Sequence, residues 1–214
     1  MPVPVVPMAR RRARRIVRRY EGLLVQAIGS AWEGWSELAV AAPARGGQVG
    51  LTAQAMVVSD FLRDPVDRLF RPVRGVQVRL EYGRPWLVLA GGLVLIRFKK
   101  LDESLNPCRS DSDRQTKIDY HLLPAVLPGM PEPTVLTAGY VLDPAGLDIT
   151  RIAVVCHFAH ELLYTIDLAA AWIPAVRIEV APPLVQLPLT GLSAPVIRSA
   201  RDAARRRSTG TSGP

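Results

Sequence analysis

VQVRLEYGRPWLVLAGGLVLIRFKKLD, residues 76–102, decides the fold. Val76, Val78 and Leu80 alternate with Gln77, Arg79 and Glu81, the period of a strand with one wet face. Gly83, Arg84 and Pro85 break the run, because proline cannot donate to a ladder. Residues 86–90 are continuously apolar, and Gly91-Gly92 supplies two positions suited to the positive φ of a tight hairpin. From Leu93 the chain returns, with Val94, Ile96 and Phe98 on one face and Leu93, Leu95, Arg97 and Lys99 on the other. The stretch therefore reads as a three-stranded antiparallel meander whose polar face opens toward its end. A single helix over residues 86–96 is the competing reading. At about 1.5 Å per residue it would span roughly 17 Å, short of about 30 Å of hydrocarbon, and its two glycines oppose it.

The rest of the chain is what packs around this meander. At 214 residues and 49% hydrophobic it holds one domain with appendages, and 6% aromatics point to an aliphatic core. The net charge of +8 is unevenly placed. Residues 1–20 hold seven arginines and no acid, residues 198–214 hold five arginines and one acid, and the stretch between them carries −3. A near-neutral body with two basic ends differs from a uniformly basic nucleic-acid-binding domain. Cys108 and Cys156, the only cysteines, show no framework spacing, which points to a reducing, cytoplasmic setting. No run of 18 uncharged apolar residues predicts a membrane span. The opening, MPVPVVPMARRRARR, lacks a signal-peptide core after its basic block, and Met8 is an alternative start to Met1.

Upstream, Ile16, Val17, Leu23, Leu24, Ala27 and Ile28 recur at helical spacing and continue toward Trp32, Trp35 and Leu38, both tryptophans being expected in the core. Thr52 is expected to cap a second helix facing inward through Ala53, Met56, Val57, Phe61 and Leu62, and Asp64-Pro65 to cap a third. Downstream, a short helix follows the cap-rich run at residues 110–113, then a proline connector at 124–133. A second meander is expected over residues 134–142, 149–156 and 161–168, with Leu162, Tyr164, Ile166 and Leu168 inward and His157 to His160 as a hairpin loop. Residues 176–180 alternate as one further strand, residues 182–195 form a proline-rich strap or partner-binding peptide, and a basic tail closes the chain. The fold class is α+β: N-terminal helices packed on an antiparallel sheet of about six strands, in two three-stranded meanders. The divisions are residues 1–50, a basic arm and helix; 51–168, the core; and 169–214, a proline-rich, basic extension.

Four segments, LVLIRFKKLDESL (residues 93–105), LPGMPEPTVLTAGYVLD (127–143), ITRIAVVC (149–156) and LLYTIDL (162–168), resemble an uncharacterised family of bacterial hypothetical proteins. The shared pattern is an RFKKLD strand end followed by LPG-P-T-L-GY-LD, and it covers about residues 86–168. The resemblance implies no particular activity. It implies a regulatory or defence role, since such proteins stand beside helix-turn-helix regulators that carry a metallopeptidase-like domain. The arginine-rich start and proline-rich end lie outside the pattern.

Three clusters are candidate sites. Arg10, Arg11, Arg12, Arg14, Arg15, Arg18 and Arg19 form a field suited to phosphates, an anionic membrane surface or an acidic protein. Arg97, Lys99, Lys100, Asp102 and Glu103 form a second cluster, a phosphate-contacting or partner-facing strand end, against the plain alternative of a solvated edge. Glu81, Lys99 and Asp102 imitate a restriction-nuclease-like site, where acids hold Mg²⁺ and lysine steadies the attacking water, although Arg97 stands where an acid belongs. Cys156, His157 and His160, with His121 as a fourth ligand, are the metal candidates, in an order that matches no HExxH motif. The expectation is a non-enzymatic adaptor or regulator without cofactor, binding a protein partner, with arginine-rich ends that touch nucleic acid. The alternative is the metal-dependent nuclease.

Overall fold

The computed structural model describes residues 6–42, 49–81, 83–108, 113–122 and 132–168. The expectations for residues 110–112, most of the proline connector and everything from residue 169 onward lie outside these residues. Helices α1 (Arg10–Val17) and α2 (Glu21–Ala41), joined by a 3-10 turn at Arg18–Tyr20, precede α3 (Leu51–Phe61) and α4 (Arg63–Phe70). Strands β1 (Gln77–Glu81), β2 (Arg84–Leu89) and β3 (Val94–Lys100) lead to α5 (Asp113–Asp119), then β4 (Thr134–Leu142), β5 (Ile149–Phe158) and β6 (Glu161–Asp167). The architecture is α+β, N-terminal helices on a six-stranded, mostly antiparallel sheet in the order β1-β2-β3-β4-β5-β6. Among the described residues no helix is long and apolar enough to cross a membrane.

The two meanders are fused rather than separate, because β3 and β4 pair in parallel from Val94↔Thr134 to Lys100↔Tyr140. A parallel neighbour needs a crossover, and the crossover carries α5. This gives the sheet two covered faces. Leu87, Leu89, Val94, Ile96, Leu136, Ala138, Val154 and Ile166 face α1 to α4 in the main core, together with Ala13, Val17, Leu24, Ile28, Trp32 and Trp35. On the opposite face Trp86, Val88, Leu95 and Val135 pack on Ile118 of α5. Leu101, Leu105, Val141, Ala153 and Val155 form a third cluster. Strands buried on both sides read as unbroken apolar runs, which explains residues 86–89 and the wholly buried β4, while Ala90 is exposed in a 3-10 turn. Gly139 sits where β4 passes close to β3: an added Cβ would lie 2.5 Å from the Lys99 carbonyl oxygen and 2.6 Å from Leu101 Cγ.

Several local expectations are corrected. Helix α3 starts at Leu51 after Gly50, so Thr52 is not its cap. Its inward face is Gln54, Val58 and Leu62, while Met56 is 49% exposed. Gln54 turns inward because its side-chain amide donates to the Gly146 carbonyl at 2.8 Å. Helix α4 begins at Arg63, which places Asp64 inside its first turn rather than at the cap. The β5–β6 turn is tighter than a four-residue loop: β5 runs to Phe158, and Ala159 and His160 both take positive φ, as the two-residue primed turn demands. Leu80 and Leu162, expected inward, are 64% and 39% exposed, since both lie on the outer strands of the sheet.

Candidate functional site

Helix α1 docks through Ala13 and Val17, both fully buried, and all seven arginines stay exposed. The chain just before it is pinned: the Met8 N–H donates to Thr134 Oγ1 at 2.9 Å, and Tyr164 Oη–H donates to the Met8 carbonyl at 3.1 Å. This end is therefore a fixed helix on the body, not a loose arm. Its local chemistry is adverse. The first turn has no acid, and Arg10, Arg11 and Arg12 set positive charge against the positive end of the helix dipole. Arg10/Arg14, Arg11/Arg15, Arg14/Arg18 and Arg15/Arg19 are like-charge pairs four residues apart, each costing about 0.2–0.5 kcal/mol. Burying Val17 contributes about 1.5–3 kcal/mol, enough to hold the helix against roughly that repulsion. None of the seven arginines is ion-paired among the described residues. Arg11, Arg14, Arg15, Arg18 and Arg19 line an open groove of about 530 Å³.

The end of β3 is not a solvated edge. Arg97 is 4% exposed, its guanidinium stacked 4.9 Å from the Trp86 ring centroid and donating to Asp119 of α5. Lys99 Nζ donates to the other Asp119 oxygen at 2.8 Å and to the Cys108 carbonyl at 3.2 Å. Burial pushes the pKa of Arg97 and Lys99 down, and the Asp119 charge opposes that in both. This cluster ties α5 to the sheet, which takes Arg97 and Lys99 away from any phosphate at the surface. Lys100 is half-buried.

The other candidates do not converge. Glu81, on β1, stands opposite Arg84 of β2, and β2 lies between it and Lys99 of β3. Asp102 is committed to its own turn, its carboxylate accepting the Asn106 N–H at 2.8 Å and the Asn106 amide at 3.3 Å. Cys156 points into the main core, where burial pushes its thiol up to about 11. His157 points to the opposite face, with Tyr120 edge-on at 5.4 Å, while His160 is exposed in the turn under the same Tyr120 ring. Successive strand residues point apart, so a Cys-His pair cannot chelate from one side. Among the described residues no three His, Cys, Asp or Glu side chains are placed to share a metal.

Two contacts escape sequence reading: the carboxylate of Asp119, and the backbone bridge made by His121, which was expected only as a metal ligand. The His121 ring is buried, its Nδ1–H donating to the His157 carbonyl at 2.6 Å and its Nε2 accepting the Val135 N–H at 2.9 Å. That arrangement needs the neutral ring, and burial holds the His121 pKa below its ordinary value. Its neighbour His157 has no hydrogen-bond partner on either ring nitrogen among the described residues, and burial lowers it too. One signal was available for Asp119. Two cations on the face shared with Leu93 and Leu95 imply a carboxylate from whatever covers that face.

Fold and site together define an α+β protein with a helix-borne arginine face and a buried Arg-Lys-Asp cluster under its crossover helix. Compared with protein-family models, curated proteins and solved structures, the chain matches none of them.

Proposed function

We propose that this chain is a non-enzymatic adaptor or regulatory protein that contacts nucleic acid through the arginine face of α1 and takes a protein partner elsewhere on its body. One observation carries the reading: seven exposed arginines, without carboxylate partners among the described residues, stand on α1 and the 3-10 turn that follows it, a segment that they destabilise and that its docking on the body keeps in place. A local rule broken without local gain marks a functional surface. The phosphate backbone is the ligand that array suits, because guanidinium forks match phosphate oxygens and each contact releases counterions. Trp32 and Trp35 are buried, so they offer no stacking platform and the contact is with backbone rather than with bases.

The test is fluorescence anisotropy with a mixed-sequence duplex and an Arg11→Gln, Arg14→Gln, Arg15→Gln, Arg18→Gln variant. Deleting residues 1–19 would remove Ala13 and Val17 from the core, whereas the glutamines keep the buried face. The variant is expected to retain its circular dichroism and to lose about 100-fold in affinity at 0.1 M salt. Unchanged affinity would reject the proposal.

A further inference from the structure

The ladder between β2 and β3 stops early. It runs from Leu89↔Val94 to Trp86↔Arg97 and ends there, because the next residue on β2 is Pro85, which has no N–H to extend it. On its other side β3 stays paired through Lys100↔Tyr140. Phe98 and Lys99 are thus left open toward the start of β2, Cys108 closes the strand beyond them by donating its N–H to the Lys100 carbonyl at 2.9 Å, and α3 walls the gap. The result is a cleft of about 440 Å³, within the range of small-molecule sites.

The two sides of this cleft differ in chemistry. Arg84, Arg97, Lys99 and Lys100 bring four cations to it, and no carboxylate is among its described lining residues. Arg97 and Lys99 are engaged by Asp119, whereas among the described residues Arg84 is held by Asp60 alone, at 3.0 Å with that carboxylate 61% exposed, a pairing that yields readily. Lys100 makes no salt bridge among the described residues. Leu51 and Met56 of α3, about half exposed, also line it, together with the buried Trp86 and Phe98. Two solvent-exposed apolar side chains beside a cationic wall make a complement for one kind of molecule.

We infer that the cleft binds a small amphipathic anion, its phosphate or carboxylate head against Lys100 and Arg84 and its hydrocarbon body against Leu51 and Met56. The site is independent of the arginine face, with which it shares no lining residue, and stands or falls without it. Isothermal titration of the full chain tests it with octyl phosphate, octanoate, 1-octanol and inorganic phosphate. One or both amphiphiles should saturate with a Kd of about 1 mM or tighter, which one identifying the head group preferred, while octanol and inorganic phosphate bind at least about tenfold more weakly. Lys100→Glu and Met56→Asp, both at partly exposed positions that spare the core, should each weaken the amphiphile about tenfold or more. The four-glutamine variant of α1 should bind it as the wild type does. No saturation by 10 mM, amphiphile binding unchanged in Lys100→Glu and Met56→Asp, or binding lost in the α1 variant would each overturn the inference.

Discussion

Replacing Asp119 with asparagine removes the carboxylate that Arg97 and Lys99 share while keeping its size. All three side chains are withdrawn from water, at 2%, 5% and 14% exposure for Asp119, Arg97 and Lys99. A cation that loses its buried counter-charge retains its desolvation cost, and breaking such a pair from one side destabilises by about 3–5 kcal/mol. In a chain of this length each kcal/mol lowers Tm by about 2–4 °C, so Asp119→Asn should melt about 6–20 °C below the wild type. Removing all three charges behaves differently. Arg97→Met, Lys99→Met, Asp119→Leu in one chain removes the buried charges together, and its stability should return to within about 1–2 kcal/mol of the wild type. Urea titrations followed by circular dichroism give both numbers, with the m-value checking that each variant unfolds as the wild type does. A loss under about 1 kcal/mol for Asp119→Asn would refute the reasoning, because it would mean that water reaches the cluster.

The unsatisfied ring of His157 makes His157→Phe a stabilising change of about 1–2 kcal/mol, since the apolar ring keeps the edge contact with Tyr120 and needs no hydrogen bond; thermal melts at pH 7.5 check it. Burial lowers both His121 and His157, so below pH about 6.5 the unfolded chain binds protons that the folded chain refuses. Stability that is complete above that pH should be lost as pH falls toward the folded values, by up to about 1.4 kcal/mol per pH unit for each histidine, and His157→Phe should remove one histidine's share. Melts from pH 7.5 to 5 that show no such slope would count against the neutral His121 bridge. Gly139→Ala should cost about 1–3 kcal/mol in urea unfolding, because its Cβ meets the Lys99 carbonyl and cannot displace it without shifting β3 from β4.

Much of the fold was legible because burial leaves a period. The alternation of Tyr164, Ile166 and Leu168 and the double-sided run at residues 86–89 both follow from how many faces a strand hides. Alternation carries no information on which strand lies alongside, so the parallel pairing of β3 with β4 was invisible, and with it the second face under α5. The inward face of α3 was misjudged because a glutamine, Gln54, is buried through a hydrogen bond to a carbonyl 92 residues away, while Met56 turns outward. The arginine field was plain in sequence, but its anchoring was not, since it depends on single contacts from Met8 to Thr134 and Tyr164. The Arg97–Lys99–Asp119 cluster was half visible: the cations stand two apart on one strand face, and their carboxylate comes from the crossover helix.

The most direct test of the account is the salt dependence of duplex binding, wild type against the four-glutamine variant of α1. Each phosphate contact adds about −0.9 to the slope of log affinity against log salt, so losing four arginines should flatten the slope by about 3.6, whatever other basic segments contribute. Equal slopes in the two proteins would show that the arginine face of α1 does not touch the phosphates.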